Sequence, residues 1–104
     1  MTNRQKKMQE ALRGAAAEFL SRESNRQSLI TVTATEVSEN GQRGRIYFTV
    51  LPTEAEVAVL KFVNRNRKEF GAFFQKRVRG MPIPHVEFVI DKGEKLRQCL
   101  DELS

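Results

Sequence analysis

The stretch KEFGAFFQKRVRG, Lys68 to Gly80, places two glycines and three phenylalanines inside an otherwise basic helical pattern. A glycine in the middle of a helix costs roughly 1 kcal/mol relative to alanine. Gly71 therefore requires a structural reason, which is a bend, a close approach of another segment or a boundary between two helices. We predict a kink at Glu69, Phe70 and Gly71, because one helix running unbroken over residues 53–79 would outrun a small sheet.

The side chains of residues 53–79 separate onto two faces when they are placed at about 100° per residue. The apolar face consists of Leu60, Val63, Phe70, Phe74 and Val78. A basic sector, roughly 80° wide on an ideal helix, consists of Lys61, Arg65, Lys68, Lys76 and Arg79. The pattern predicts that one face packs on a core while the other presents charge. Thr53-Glu54-Ala55-Glu56 predicts a capping box at the start of the helical region.

Three segments around this region predict β-strands. Residues 30–37 alternate aliphatic residues with threonine, and Val37 indicates a change of phase near the end of the strand. Asn40-Gly41 predicts a hairpin, in a loop long enough for more than a two-residue turn. Arg45 to Leu51 alternates again. His85 to Asp91 has apolar residues on both faces, so we expect this strand at the centre of the sheet or under a tail.

Two further segments carry helical spacing. Residues 3–23 form an amphipathic pattern that tolerates Gly14. Its apolar stripe consists of Met8, Leu12, Ala15, Ala16, Phe19 and Leu20. Residues 92–104 predict a short tail helix that docks or mediates association. Its stripe consists of Leu96, Cys99, Leu100 and Leu103. The order α-β-β-α-α-β predicts one α+β domain over residues 1–104, with a three-stranded sheet and its helices on one face.

Charge is concentrated in two parts of this 104-residue chain. Its net charge is +5; residues 1–13 carry +3 and residues 61–80 carry +6, while the remainder carries −4. Such a distribution is typical of a surface that binds nucleic acid. Two solvated helix faces would give the same distribution and remain the alternative at this point. The chain has no apolar run long enough for a membrane span and no secretory pattern behind its basic N-terminus, so we expect a cytoplasmic protein. A lone cysteine, Cys99, excludes a disulfide framework.

The predicted order is that of a type II KH domain, which normally grips single-stranded nucleic acid with a GxxG loop between two helices. Gly71-Ala72-Phe73-Phe74 is not such a loop. The chain resembles the ribosome-binding factor A family, in which a kinked helix replaces the loop; Glu69-Phe70-Gly71 lies at the corresponding place. The hairpin of residues 30–50 and the stretch from Pro84 to Asp91 are also similar to that family, as is the helix that contains Arg4 and Gln9.

The resemblance implies a non-catalytic factor that binds the small (30S) ribosomal subunit or its precursor and assists late maturation and processing of 16S rRNA. We also expect a protein that is monomeric when free. Basic side chains are the expected RNA contacts, because lysine and arginine neutralise phosphates. On the helical region these are Lys61, Arg65, Lys68, Lys76, Arg77 and Arg79. A second contact consists of Arg4, Lys6 and Lys7. Phe73 either stacks on an unpaired base or packs against the first helix.

Other interpretations stay open at this point. The chain is alternatively a generic KH-like RNA-binding module, a ribosome-associated protein with no maturation role, or an interaction protein that uses its tail helix. An enzyme has little support, since His85 is the lone histidine and Cys99 lies on an apolar stripe. The carboxylates of Asp91 and Glu94 could approach a metal ion. Two carboxylates next to Lys92 and Lys95 are, however, ordinary for a protein surface. We expect no catalytic residue, no metal and no cofactor.

Overall fold

The computed structural model describes residues 3–22 and 28–93. Helix α1 spans Asn3–Ser21, and a hairpin of β1, Leu29–Val37, and β2, Arg43–Leu51, follows. A 3-10 turn, Thr53–Ala55, leads into α2, Glu56–Arg65, and α3, Arg67–Arg77, before strand β3, His85–Ile90. The predicted α+β order is therefore confirmed. The predicted tail helix falls almost entirely on residues 94–104, which lie outside the described part of the chain.

The sheet has the strand order β1-β2-β3, with β1 and β2 antiparallel and β2 and β3 parallel. Of the two positions predicted for the last strand, the centre of the sheet was wrong, because β3 is an edge strand and β2 is the central one. The other position, under a tail, involves residues 94–104, which lie outside the described part of the chain. On the second apolar face of β3, Val89 is half-buried and pairs with Tyr47 on β2.

A β-bulge interrupts β1 between Val32 and Ala34. The change of phase predicted at Val37 therefore occurs earlier, at Thr33. This residue is buried instead of lying with the other threonines, and its Oγ1 donates to Oδ2 of Asp91 at 2.6 Å. Asp91 is also buried, and its Oδ1 accepts from the Gly93 amide at 2.8 Å. The bulge thus gives a buried carboxylate the hydroxyl donor that burial requires.

The core lies between the sheet and its helices. All six apolar residues predicted for α1 are buried. Phe70 links the layers, since its ring lies 5.5 Å from the rings of both Phe19 on α1 and Phe88 on β3. Edge-to-face pairs of this kind stabilise a core by about 0.5–1.5 kcal/mol beyond the area they bury. The edge of β1 is also bound by α1, because Gln9 Nε2 donates to the carbonyl of Thr35 at 3.2 Å.

The boundary between α2 and α3 lies at Asn66, five residues before Gly71 of the predicted kink. Its backbone has φ −106° and ψ 22°, and its side-chain Nδ2 donates to the carbonyl of Phe62 at 2.8 Å. The same carbonyl also accepts from the backbone amide of Asn66 at 3.1 Å, so side chain and backbone share one acceptor at this boundary. The kink predicted at Glu69, Phe70 and Gly71 was therefore wrong, because all three residues lie inside α3.

Gly71 has a different reason to be glycine. A Cβ at this position would stand 3.3 Å from Cδ1 of Ile83, so the chain that leads into β3 passes close to α3 here. The capping box was also wrong. No side chain caps α2, whose N-cap residue is Ala55. The Glu56 carboxylate instead accepts a hydrogen bond from Nζ of Lys92 at 3.2 Å.

Candidate nucleic-acid interface

The predicted basic residues of the helical region are exposed, but they do not form one continuous described site. Lys61 and Arg65, four residues apart on α2, line a shallow cavity of about 490 Å³ with Ala58 and Asn64. Lys76 and Arg77 line another, of about 560 Å³, between α1 and α3. Lys68 and Arg79 are exposed and line neither of these two cavities.

The second predicted contact lies at the beginning of α1. Arg4, Lys6 and Lys7 are all exposed there. Arg4 and Lys7 face a cleft of about 520 Å³, which is also lined by the β1–β2 loop and by residues 80–82. Lys6 is not among its lining residues. The structure therefore brings two of the three cations together and leaves the third on another side of the helix.

Arg77 differs from the other predicted contacts because it already has a carboxylate partner. Its Nε donates to Oε2 of Glu18 at 2.7 Å, between side chains that are about half exposed. Its guanidinium also lies against the backbone of Gly14 on α1. An exposed ion pair of this kind contributes at most about 1 kcal/mol. A phosphate that binds Arg77 would nevertheless have to compete with Glu18. A phosphate that binds Lys68 or Arg79 would not meet this competitor.

Phe73 packs against α1, which was one of its two predicted roles. Its ring centroid lies 5.7 Å from that of Phe19, and the guanidinium of Arg22 lies 4.8 Å above the ring. Cation–π contacts of this kind contribute roughly 0.5–1 kcal/mol at exposed sites. Arg22 occupies the ring face that a stacked base would need.

Arg67 shows how a basic residue can have a structural role that composition does not reveal. Its Nη1 donates to the carbonyl of Val86 at 3.2 Å, at the beginning of β3. Since the amides of His85 and Asp91 bond to β2, the carbonyl of Val86 points away from that strand. Arg67 therefore ties the first turn of α3 to the free edge of the sheet. Arg67 lies in a run of basic residues, so the sequence did not distinguish it from its neighbours.

The sheet face opposite the helices carries a polar network. The Tyr47 hydroxyl donates to the Glu36 carboxylate and accepts from Nη1 of Arg45, whose Nε donates to Oε2 of Glu87 at 3.2 Å. The hydrogen bond to Tyr47 and the neighbouring Glu87 carboxylate raise the pKa of Arg45 above its ordinary value. Arg45 is therefore engaged in an ion pair with Glu87 and a hydrogen bond to Tyr47 on its own sheet.

The residues weighed for enzymatic or metal chemistry are dispersed. His85 is exposed at the start of β3, and Asp91 is buried against Thr33. Glu94 and Cys99 lie outside the described residues. Within residues 3–22 and 28–93, three or more histidine, cysteine, aspartate or glutamate side chains nowhere group in a way that could hold a metal ion. None of the helices in these two ranges has the length and hydropathy needed to cross a membrane.

The strand order, the parallel pairing of β2 with β3 and the helices packed on one face define a small type II KH-like α+β domain with basic helices. The sequence match is more specific than the fold. Residues 4–104 match the family described as Ribosome-binding factor A, and the chain belongs to that family. The resemblance drawn from the sequence is confirmed.

Individual relatives agree with this assignment. Ribosome-binding factor A of Thermodesulfovibrio yellowstonii is 32% identical over 82 residues, which cover 75% of this chain and 70% of that protein. The crystal structure of ribosome-binding factor A from Thermus thermophilus has a TM-score of 0.70 at 24% identity, over 83% of this chain and 94% of that one.

A second Thermus thermophilus structure is a homology model of ribosome-binding factor A fitted into a cryo-EM map of a 30S complex. It has a TM-score of 0.66 at 25% identity, over 78% of this chain and 88% of that one. The solution structure of a Thermotoga maritima protein described as a putative ribosome-binding factor A has a TM-score of 0.60 at 23% identity, over 86% and 84% of the two chains.

Proposed function

We propose that this chain binds the small ribosomal subunit or its precursor in the cytoplasm and assists late maturation and processing of its 16S rRNA, without catalysing a reaction. The observation that carries the proposal is the match of residues 4–104 to the ribosome-binding factor A family. The Thermus thermophilus relative that was fitted into a map of a 30S complex supports the small subunit as the partner.

Exposed cations supply the physical basis for binding rRNA. The proposed contacts are Arg4, Lys6, Lys7, Lys61, Arg65, Lys68, Lys76 and Arg79, all of which are exposed. Each cation that neutralises a phosphate releases a counterion, so affinity falls as salt rises. Arg77 is left out of this set because Glu18 already binds it. Its role is to hold α3 against α1, so that the neighbouring cations keep their positions.

Binding alone is sufficient for a role in maturation. A protein that binds one conformation of an RNA better than another shifts the population toward the first by its difference in affinity. No covalent step is needed for such an effect. Processing then depends on which rRNA conformation other factors meet, and this chain acts by stabilising one of them.

Co-sedimentation with purified ribosomal particles tests the proposal. The full chain is mixed with free small subunits, free large subunits and assembled ribosomes over a series of salt concentrations. We expect it to pellet preferentially with free or immature small subunits. Equal pelleting with every particle, abolished by modest salt, would contradict the proposal and favour the alternative of a generic KH-like RNA-binding module.

A further inference from the structure

The cleft at the beginning of α1 is walled by three separate segments of the chain. Arg4, Lys7 and Met8 come from the first two turns of α1, Glu39 comes from the β1–β2 loop, and Met81 comes from the turn before β3. Its volume of about 520 Å³ lies within the range of roughly 300–1,000 Å³ that is typical of small-molecule sites. We call it the N-terminal cleft.

The lining of the N-terminal cleft includes an apolar patch among its polar residues. Met8 is buried, with 7% of its surface exposed, and Val37 and Met81 are half-buried beside it. Pro82 adds an exposed ring to the lining. Methionine thioethers are polarizable and adapt to flat aromatic partners. Such a lining suits a planar ring better than it suits a bare ion.

The rim of the cleft has charges of both signs. Arg4 and Lys7 are three residues apart on α1 and therefore lie on the same side of that helix. Glu39 contributes a carboxylate from the hairpin loop. The two cations attract a phosphate, whereas the carboxylate repels one and instead accepts hydrogen bonds from an exocyclic amine of a base. A nucleotide with an amino-bearing base meets both requirements at once.

Backbone is accessible at two places in the same cleft. Gly41 has φ +72° and Gly80 has φ +84°, values that favour glycine, and a Cβ at either position would meet no atom within 4 Å. A ligand can therefore approach these backbone segments closely. The cleft between α1 and α3 is less suited, because Arg77 there is paired with Glu18 and Arg22 covers the ring of Phe73.

We propose that the N-terminal cleft holds one unpaired nucleotide, with its base against Met8 and Met81, its phosphate at Arg4 and Lys7, and its exocyclic amine at Glu39. This inference deepens the proposed function, since it rests on rRNA as the source of the nucleotide. The cleft then selects an extruded or single-stranded nucleotide, because its base must enter between Met8 and Met81, whereas Lys61 and Arg65 contact the phosphate backbone. Adenosine, cytidine and guanosine are preferred over uridine, which has no exocyclic amine.

Methyl NMR of the full chain tests the site directly. The methionine methyl groups are labelled with carbon-13, and the protein is titrated with adenosine, cytidine and uridine monophosphates and with inorganic phosphate. We expect the signals of Met8 and Met81 to shift saturably with the nucleotides, at lower concentration for the two amino-bearing bases, and not with phosphate. Equal shifts with phosphate, or no shift at either methionine, would overturn the proposal.

Charge-reversal variants connect the site to its residues. Lys7→Glu should weaken nucleotide binding about tenfold, because it replaces one of the two cations that bind the phosphate with a carboxylate that repels it. Arg13→Glu, at an exposed position of the same helix, should leave it unchanged. Glu39→Gln should reduce the preference for amino-bearing bases. Equal losses in Lys7→Glu and Arg13→Glu would refute the assignment.

The two proposals fail in different ways. If the chain pellets with small subunits while the methionine signals ignore every nucleotide, the cleft assignment is wrong and the proposed function stands. If nucleotides shift Met8 and Met81 but the chain shows no preference for small subunits, the cleft assignment stands and the proposed function is wrong.

Discussion

The guanidinium of Arg77 lies across Gly14: a Cβ on Gly14 would stand 2.9 Å from Nη1 of Arg77. From this position Arg77 donates to Glu18, one turn further along α1. The contact joins the last turn of α3 to the middle of α1. Gly14 is therefore the place where a side chain of α3 passes over α1, which explains a glycine that weakens the helix around it.

Gly14→Ala should uncouple Arg77 from Glu18 without unfolding the protein. The substitution gains roughly 1 kcal/mol of helix propensity, and the side chain that it displaces is flexible at its end. A double-mutant cycle on Arg77→Gln and Glu18→Gln should give a coupling of about 0.5 kcal/mol in the natural background and nearly zero with Gly14→Ala. Urea unfolding measures each corner of the cycle. The same coupling in both backgrounds would contradict the contact.

Gly71→Ala should stabilise the protein by less than a glycine-to-alanine change at a helix position that has no close neighbour. The expected helix gain is roughly 1 kcal/mol, but the added Cβ would stand 3.3 Å from Cδ1 of Ile83. Ile83→Val removes that atom, so Gly71→Ala should be more favourable in the Ile83→Val background. Unfolding free energies of the four proteins decide the point. If Gly71→Ala has the same effect in both backgrounds, the close approach is not what keeps this residue a glycine.

Asn66→Ala should destabilise the junction of α2 and α3. It removes the hydrogen bond from Nδ2 to the carbonyl of Phe62, whose net contribution is about 0.5–1.5 kcal/mol. Asn64→Ala, at an exposed position two residues earlier on α2, is the matched control and should cost nothing. Thermal unfolding compares the two variants. An equal loss in both would mean that the Asn66 side chain does not stabilise the boundary.

Thr33→Val should be costly because it leaves a buried carboxylate without its hydroxyl donor. Asp91 is 6% exposed, and the Thr33 hydroxyl lies 2.6 Å from its Oδ2. Removing one partner of a buried polar pair costs about 1–3 kcal/mol. Thr31→Val, at an exposed position of the same strand, should be close to neutral. Denaturant unfolding that shows no difference between the two valine variants would refute this role.

Periodic features of the sequence were predictable because they depend on neighbours a few positions away. The stripe of α1 from Met8 to Leu20 is buried as its spacing indicated. The alternation in β2 also held, with Ile46, Phe48 and Val50 buried. The apolar face predicted over residues 53–79 was confirmed at Val63, Phe70 and Phe74, which are buried, although α2 and α3 are separate helices.

Features that depend on distant partners were not predictable in this way. The bulge at Thr33 is explained by Asp91, which lies 58 positions later. The glycines at 14 and 71 are explained by Arg77 and Ile83, and neither contact has a local signature. The break occurs at Asn66, whose side chain bonds the carbonyl of Phe62, but Gly71 was the stronger breaker by propensity. Among the cations, sequence alone separated neither Arg67 nor Arg77 from the exposed residues around them.

The most direct test of the account measures how small-subunit binding depends on salt. The double variant Lys61→Gln and Arg65→Gln is compared with the natural chain and with Arg13→Gln plus Arg43→Gln, which removes the same charge from two exposed positions outside the proposed contacts. We predict that the first pair lowers affinity and makes the logarithmic salt slope shallower by about 0.7–0.9 per lost contact, while the control pair leaves the slope unchanged. Equal slopes for both pairs would show that binding follows net charge alone, and would contradict a specific contact through α2.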